Sequence, residues 1–132
     1  SGIHFGGSSA DTTVPARLSF ERSTEFATSL QRKGVVVGTV EHLLAALHSY
    51  GISNLLIKTY GEIPIMDGSA SEFCRLIEEA GVVEQSGRCP EVVIDRTLRF
   101  NGDGLEEIII EPAERFTVHY RLRYPPPVGT QE

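Results

Sequence analysis

Two apolar stripes of helical period, each closed by a glycine, stand among runs that alternate apolar and polar residues. That combination confines the chain to a layered α+β fold. In the first stripe Val40, Leu43, Leu44 and Leu47 recur at i, i+3, i+4 and i+7, with Thr39 as the expected N-cap and Gly51 in the left-handed position after Tyr50. In the second, Ser69 and Glu72 have the S-x-x-E spacing of a capping box, Phe73, Leu76, Ile77 and Ala80 form the stripe, and Gly81 ends it. Helices are expected over 39–50 and 69–80. From Phe116 to Tyr124 the chain alternates without a break, as an antiparallel strand does when one face meets a core and the other meets water. Runs 92–100 and 105–111 flank Asn101-Gly102-Asp103-Gly104, whose residues tolerate positive φ, so they read as a hairpin. Shorter strands are expected at 3–5, 15–20, 26–30, 35–37 and 55–60. The expected architecture is a two-layer sandwich with both helices side by side on one face of a mainly antiparallel sheet.

At 132 residues, 40% hydrophobic and 23% charged, the chain can bury a single core. It has no repeat or low-complexity block, and Gly6-Gly7-Ser8-Ser9 is too short for a linker, so residues 1–124 read as one domain. Eighteen acidic against twelve basic residues give a net charge of -6 with no Lys/Arg cluster, which argues against nucleic acid as a partner. No run approaches the ~18–20 apolar residues of a membrane span, and Ser1-Gly2-Ile3-His4 has neither the basic start nor the apolar stretch of a secretory signal. A cytoplasmic location is expected. Cys74 and Cys89 have neither metal-finger spacing nor the density of a disulfide scaffold, and read as reduced thiols.

On a helical wheel with Val40 at zero, Leu43, Leu44 and Leu47 fall within ~60° of it, while Glu41 lies at ~100° and His42 at ~200°. Both therefore point away from the core. They also occupy the first turn, where the helix dipole favours a carboxylate and a neutral imidazole. Ala45, Ala46 and Ser49 make the remaining face small rather than charged, which suits a surface that something else covers. A neutral imidazole is a good Zn²⁺ ligand and a neighbouring carboxylate a good general base, but an idle surface histidine fits the same residues. His4, His48 and His119 have no partner at metal-helix spacing, so no second ligand can be named. Gly6-Gly7 precedes no helix pattern, and Ser8 or Ser9 lacks an evident His partner, which leaves nucleotide-loop and serine-hydrolase readings weak.

The segment from Thr39 to Leu47 resembles the T-V-E-H-L-x-A-A-L motif of the UDP-3-O-acyl-N-acetylglucosamine deacetylase family, zinc enzymes of lipid A and lipopolysaccharide biosynthesis. Gly51-Ile52-Ser53-Asn54-Leu55 resembles its G-I-D-N-L, and Ile63 to Ala70 its I-P-I-M-D-G-S-A. Looser likenesses join Thr28-Ser29-Leu30 to the family's T-S-L strand and Tyr124–Gln131 to the segment at its domain junction, so that 125–132 would begin an inter-domain segment. The resemblance implies a fold like the second domain of ribosomal protein S5, in a protein whose two similar domains enclose the site between their helical layers. It implies His42 as a zinc ligand, Glu41 as general base, Phe26 and Ala27 on a substrate-lining strand, and Asp67, Gly68 and Ser69 as a structural turn before the second helix. In that family the second domain adds a His and an Asp ligand, in an H-x-x-x-D motif, and a His acid. Those residues have no counterpart here, nor do the family's N-terminal strands before Ser1. The chain alone is accordingly expected to be inactive and to hold Zn²⁺ weakly. Expected partners are a UDP-linked acyl-glucosamine and a second domain, or another protein, on the Glu41/His42 face. A homodimer, through that face or an open sheet edge, is a further expectation. The alternative function is a non-catalytic binding or regulatory module derived from the same domain.

Overall fold

The computed structural model describes residues 1–7, 12–23, 26–102, 104 and 106–132. Ser8, Ser9, Asp103 and Leu105, which figured in the sequence reading, lie outside the described residues. Chain contacts divide the protein into two compact units, Ser1–Cys89 and Pro90–Glu132.

The first unit runs β1 (Ile3–Gly6), β2 (Val14–Pro15), a 3-10 turn (Leu18–Phe20), β3 (Glu21–Ser23), β4 (Thr28–Arg32), β5 (Val35–Val37), α1 (Glu41–Ser49), β6 (Leu55–Lys58) and α2 (Ser71–Ala80). One sheet has the order β2-β1-β6 and the other β3-β4-β5. Every pairing between described strands is antiparallel except β1 with β6, which run parallel in the register Ile3↔Leu55 to Gly6↔Lys58. The expected α+β class is what the chain adopts. Both helices contribute to one apolar cluster. Phe5 and Val14 come from the first sheet, Leu30 and Val37 from the second, and Val40, Ala46, Ile63 and Phe73 from the helices and their approaches. Leu43, Leu44, Cys74 and Ile77 pack around it half-buried. Tyr50, at the end of α1, donates its hydroxyl to the Glu78 carboxylate of α2, joining the two helices outside the core. Arg32 ties β4 to the segment before β2 by donating to the Thr13 carbonyl at 3.0 Å, and its guanidinium lies over the Phe20 ring.

Both helix ends lie where their glycines put them: Gly51 has φ 67 and Gly81 φ 73. The starts differ from expectation. Thr39 is not an N-cap, because α1 begins at Glu41 behind Val40 and the Thr39 side chain is engaged elsewhere. Nor does the capping box form. Ala70 precedes α2, Glu72 pairs with Arg75 at 3.1 Å, and the Ser69 hydroxyl accepts the Ser71 N–H at 3.2 Å. Ala46, read as part of the small outer face, is 1% exposed and belongs to the core. The stripe is wide enough to include it, because α1 packs against both α2 and the strands.

In the second unit β7 (Leu98–Asn101) and β8 (Glu107–Ile110) form the expected hairpin, shorter at the start of its first strand since Val92 and Val93 stay exposed and unpaired. Leu98 and Phe100 face Ile110 and Ile108 across it. The long strand expected over 116–124 is reduced to β9 (Leu122–Arg123), paired with β10 (Thr130–Gln131). Alternation supplies a face but not a strand, and among the described residues 116–121 belong to no strand. Between these two strands the Tyr124 N–H donates to the Gly129 carbonyl at 2.9 Å. Both cysteines are free, Cys74 half-buried and Cys89 exposed. Among the described residues no helix is long and apolar enough to cross a membrane.

Two outcomes follow from this packing. Phe5 is fully buried, so Phe5→Ala is expected to lower stability by about 3–5 kcal/mol in urea denaturation, as cavity-forming aromatic truncations do. The bond to Glu78, with the nearby negative charge, pushes the Tyr50 phenol up to about 12. A raised value means that the bond's contribution to stability is whole below the ordinary tyrosine value of 10.0 and is lost as pH rises through about 12. Tyrosinate absorbance should show one late-titrating group that Tyr50→Phe removes.

Candidate active site

Helix α1 presents Glu41 and His42 in its first turn, and burial of Val40 (0% exposed) and Leu47 (1% exposed) sets the rotation that does so. Both residues are half-buried rather than fully exposed. The reason is β4. The Thr28 backbone N–H donates to Glu41 Oε2 at 3.1 Å, and the Thr28 carbonyl accepts the Val40 N–H at 3.2 Å. One residue of β4 thus grips the helix start through both its backbone groups. His42 follows directly, and beyond it Ala45 and Ser49 are exposed on the same side. The Ser49 hydroxyl turns back to the Ala46 carbonyl at 2.8 Å, which leaves little polarity on that face.

Beside this helix start lies an open recess of about 460 Å³ lined by Ala27, Ser29, Val36, Gly38, Thr39, Gly61 and Glu62. Ala27 therefore stands close to Glu41 in the fold, since Thr28 is next to it in β4. Phe26 does not line the recess and is 94% exposed. Asp67 lies apart from the pair, in the turn before α2. One carboxylate oxygen, Oδ1, accepts both the Ser69 N–H at 2.9 Å and the Ser69 hydroxyl at 2.8 Å, while Gly68 takes φ 86. These bonds, the hydroxyl's first, hold the Asp67 carboxyl below its ordinary range.

A carboxylate held by a backbone N–H, next to an imidazole and beside an open recess, can accept a proton from a nucleophile and offer one ligand to a metal ion. It cannot encircle one. Among the described residues no three His, Cys, Asp or Glu side chains come together. Sequence reasoning missed three groups that surround the pair: the Thr28 N–H, the Thr39 hydroxyl and Glu62. A backbone donor leaves no trace in residue type, and Thr39 was read as a cap.

Over residues 1–132 the chain matches the family model described as LpxC, UDP-3-O-acyl N-acetylglycosamine deacetylase. It belongs to that family. A UDP-3-O-acyl-N-acetylglucosamine deacetylase of Myxococcus xanthus is 42% identical over 117 residues, covering 88% of this chain and 37% of the relative. One from Aliarcobacter butzleri is 33% identical over 133 residues, covering 99% of this chain and 44% of the relative, and one from Helicobacter hepaticus is 35% identical, covering 100% and 44%. The chain thus spans less than half the length of these relatives. Each of them is named as an enzyme, which gives the binding-module alternative no support.

The Asp67 turn yields a direct check within this LpxC-family fold. A lowered carboxyl value means that the turn's contribution to stability is present above the ordinary value of 3.8 and is lost as pH falls through the lower folded one. In an amide-resolved NMR titration the Ser69 N–H should shift with a midpoint below 3.8, and Ser69→Ala should move that midpoint upward.

Proposed function

We propose that this chain is the first half of a deacetylase acting on a UDP-linked acyl-glucosamine, with Glu41 as general base and His42 as a metal ligand. The observation that carries this is the Thr28 N–H on the Glu41 carboxylate, which fixes the carboxylate beside His42 at the edge of the recess. In the reaction, water adds to the acetamide carbonyl carbon and gives its proton to Glu41. The C–N bond then breaks, releasing acetate and leaving the sugar amine with a returned proton. The Thr28 N–H directs one oxygen of Glu41 and so leaves the other for the proton. In this reading Ala27, which lines the recess, borders the acyl-glucosamine, and Phe26, exposed next to it, meets its apolar part.

Catalytic zinc takes three protein ligands and an open position, and among the described residues this face of α1 offers one imidazole, so the donor set here does not hold the ion by itself. When bound, zinc supplies Lewis acidity. The remaining ligands and the acid belong, in this reading, to a second domain seated on the α1 face of Glu41, His42, Ala45 and Ser49. The small exposed Ala45 supports close approach of another backbone there. A nucleotide-linked substrate accords with a cytoplasmic location.

Acetate release tests the proposal. With excess Zn²⁺ and the UDP-linked substrate, this chain alone should give no turnover above the metal-only control. The same chain continued by a second domain bearing H-x-x-x-D should turn over, and Glu41→Gln should cut kcat by about 10²–10⁴. Turnover by the chain alone, abolished by His42→Ala, would show a complete site here and overturn the division of ligands.

A further inference from the structure

Immediately before α1, Thr39 takes φ 56, a left-handed conformation that a β-branched residue adopts only where its surroundings hold it. Thr39 is 8% exposed. Its hydroxyl donates to Glu62 Oε1 at 2.7 Å. The backbone on either side is fastened as well. Gly38 donates to the Gly61 carbonyl at 2.8 Å and accepts the Ile63 N–H at 3.0 Å, forming a short parallel bridge, while Val40 donates to Thr28 of β4. The Glu62 carbonyl is fixed in turn by the Thr59 hydroxyl at 3.2 Å. Residues 38–40 are therefore pinned to β4 on one side and to 61–63 on the other, and Glu41 is the next residue.

None of this caps the helix, since α1 starts without a side-chain cap. A glycine at position 39 would make the same left-handed turn without crowding from a Cβ. What threonine adds there is the bond to Glu62. We infer that Thr39 and Glu62 are positioning residues for the Glu41/His42 pair: their bond sets the path by which the chain enters α1, and so where the first turn holds its carboxylate relative to the Thr28 N–H. This rests on the catalytic reading of Glu41 and His42 given above. Neither Thr39 nor Glu62 needs to touch the reacting atoms.

The test uses the complete deacetylase carrying this chain, with Thr39→Gly, Thr39→Ser and Glu62→Ala. Thr39→Gly keeps the turn and deletes the hydroxyl, so it should melt no lower than the parent while kcat falls about tenfold and KM stays within about twofold, the mark of a displaced reacting group rather than weakened binding. Thr39→Ser, which retains the hydroxyl, should restore kcat. Glu62→Ala removes an exposed side chain and should reproduce the kcat loss even if Thr39→Gly folds poorly. In parallel, amide NMR of this chain should show the Thr28 and Val40 N–H signals moved by Thr39→Gly and returned by Thr39→Ser. Unchanged kcat in folded Thr39→Gly and Glu62→Ala overturns the inference. If Glu41→Gln itself leaves turnover intact, the catalytic reading fails instead, and the amide shifts show separately whether the Thr39–Glu62 bond holds the helix start.

Discussion

Burial of one side of α1 governs everything placed on its other side. Val40 and Leu47 are shut away from water and Leu43 and Leu44 pack half-buried beside them, each such side chain contributing about 1.5–3 kcal/mol when fully buried. The helix cannot rotate without exposing them. Glu41 and His42 are therefore fixed in direction by residues that take no part in any chemistry, and the Thr28 backbone meets Glu41 because β4 supplies Leu30 to the same core. The local bonds at the helix start refine an orientation that hydrophobic burial has already imposed.

What could be read from the sequence divides along the same line. The first helix stripe, the glycine ends of both helices and the β7–β8 pairing depend on residue types within a few positions of one another, and the structure follows them, whereas in the second stripe Phe73 and Ile77 turn inward and Leu76 and Ala80 stay exposed. Errors arose where a partner outside the expected pattern, near or far along the chain, decided the outcome. Thr39 has the chemistry of an N-cap, yet Glu62, far along the chain, takes its hydroxyl. Ser69 and Glu72 have capping-box spacing, but Asp67 and Arg75 engage them first. Ala46 is small enough for either face, and only the tertiary packing of the core cluster puts it inside. The run 116–124 alternates well, but alternation cannot supply a neighbouring strand.

At the candidate site the pair Glu41 and His42 was legible because a wheel shows which residues leave the core and a motif shows which of those resemble a known machinery. Its supports were not. The Thr28 N–H is common to almost every residue type, and the left-handed turn at position 39 contradicts the preference of threonine. Position 39 is thus the place where local propensity and tertiary structure disagree most sharply, at a cost of about 1–3 kcal/mol, two residues from the candidate base.

The parallel pairing of β1 with β6 carries a consequence for how the chain is made. Ile3 lies against Leu55 and Gly6 against Lys58, and β2 holds only a short stretch on β1's other side. During synthesis β1 cannot complete this pairing until residue 58 follows it. Such a contact closes a long loop, and its entropy must be met before the strand pair is rewarded. The hairpins of β3, β4 and β5 and the α1 turn all lie inside that loop and can form earlier from local contacts. The order of events is thereby built into the topology: the Glu41/His42 helix can take shape before β1 and β6 close around it.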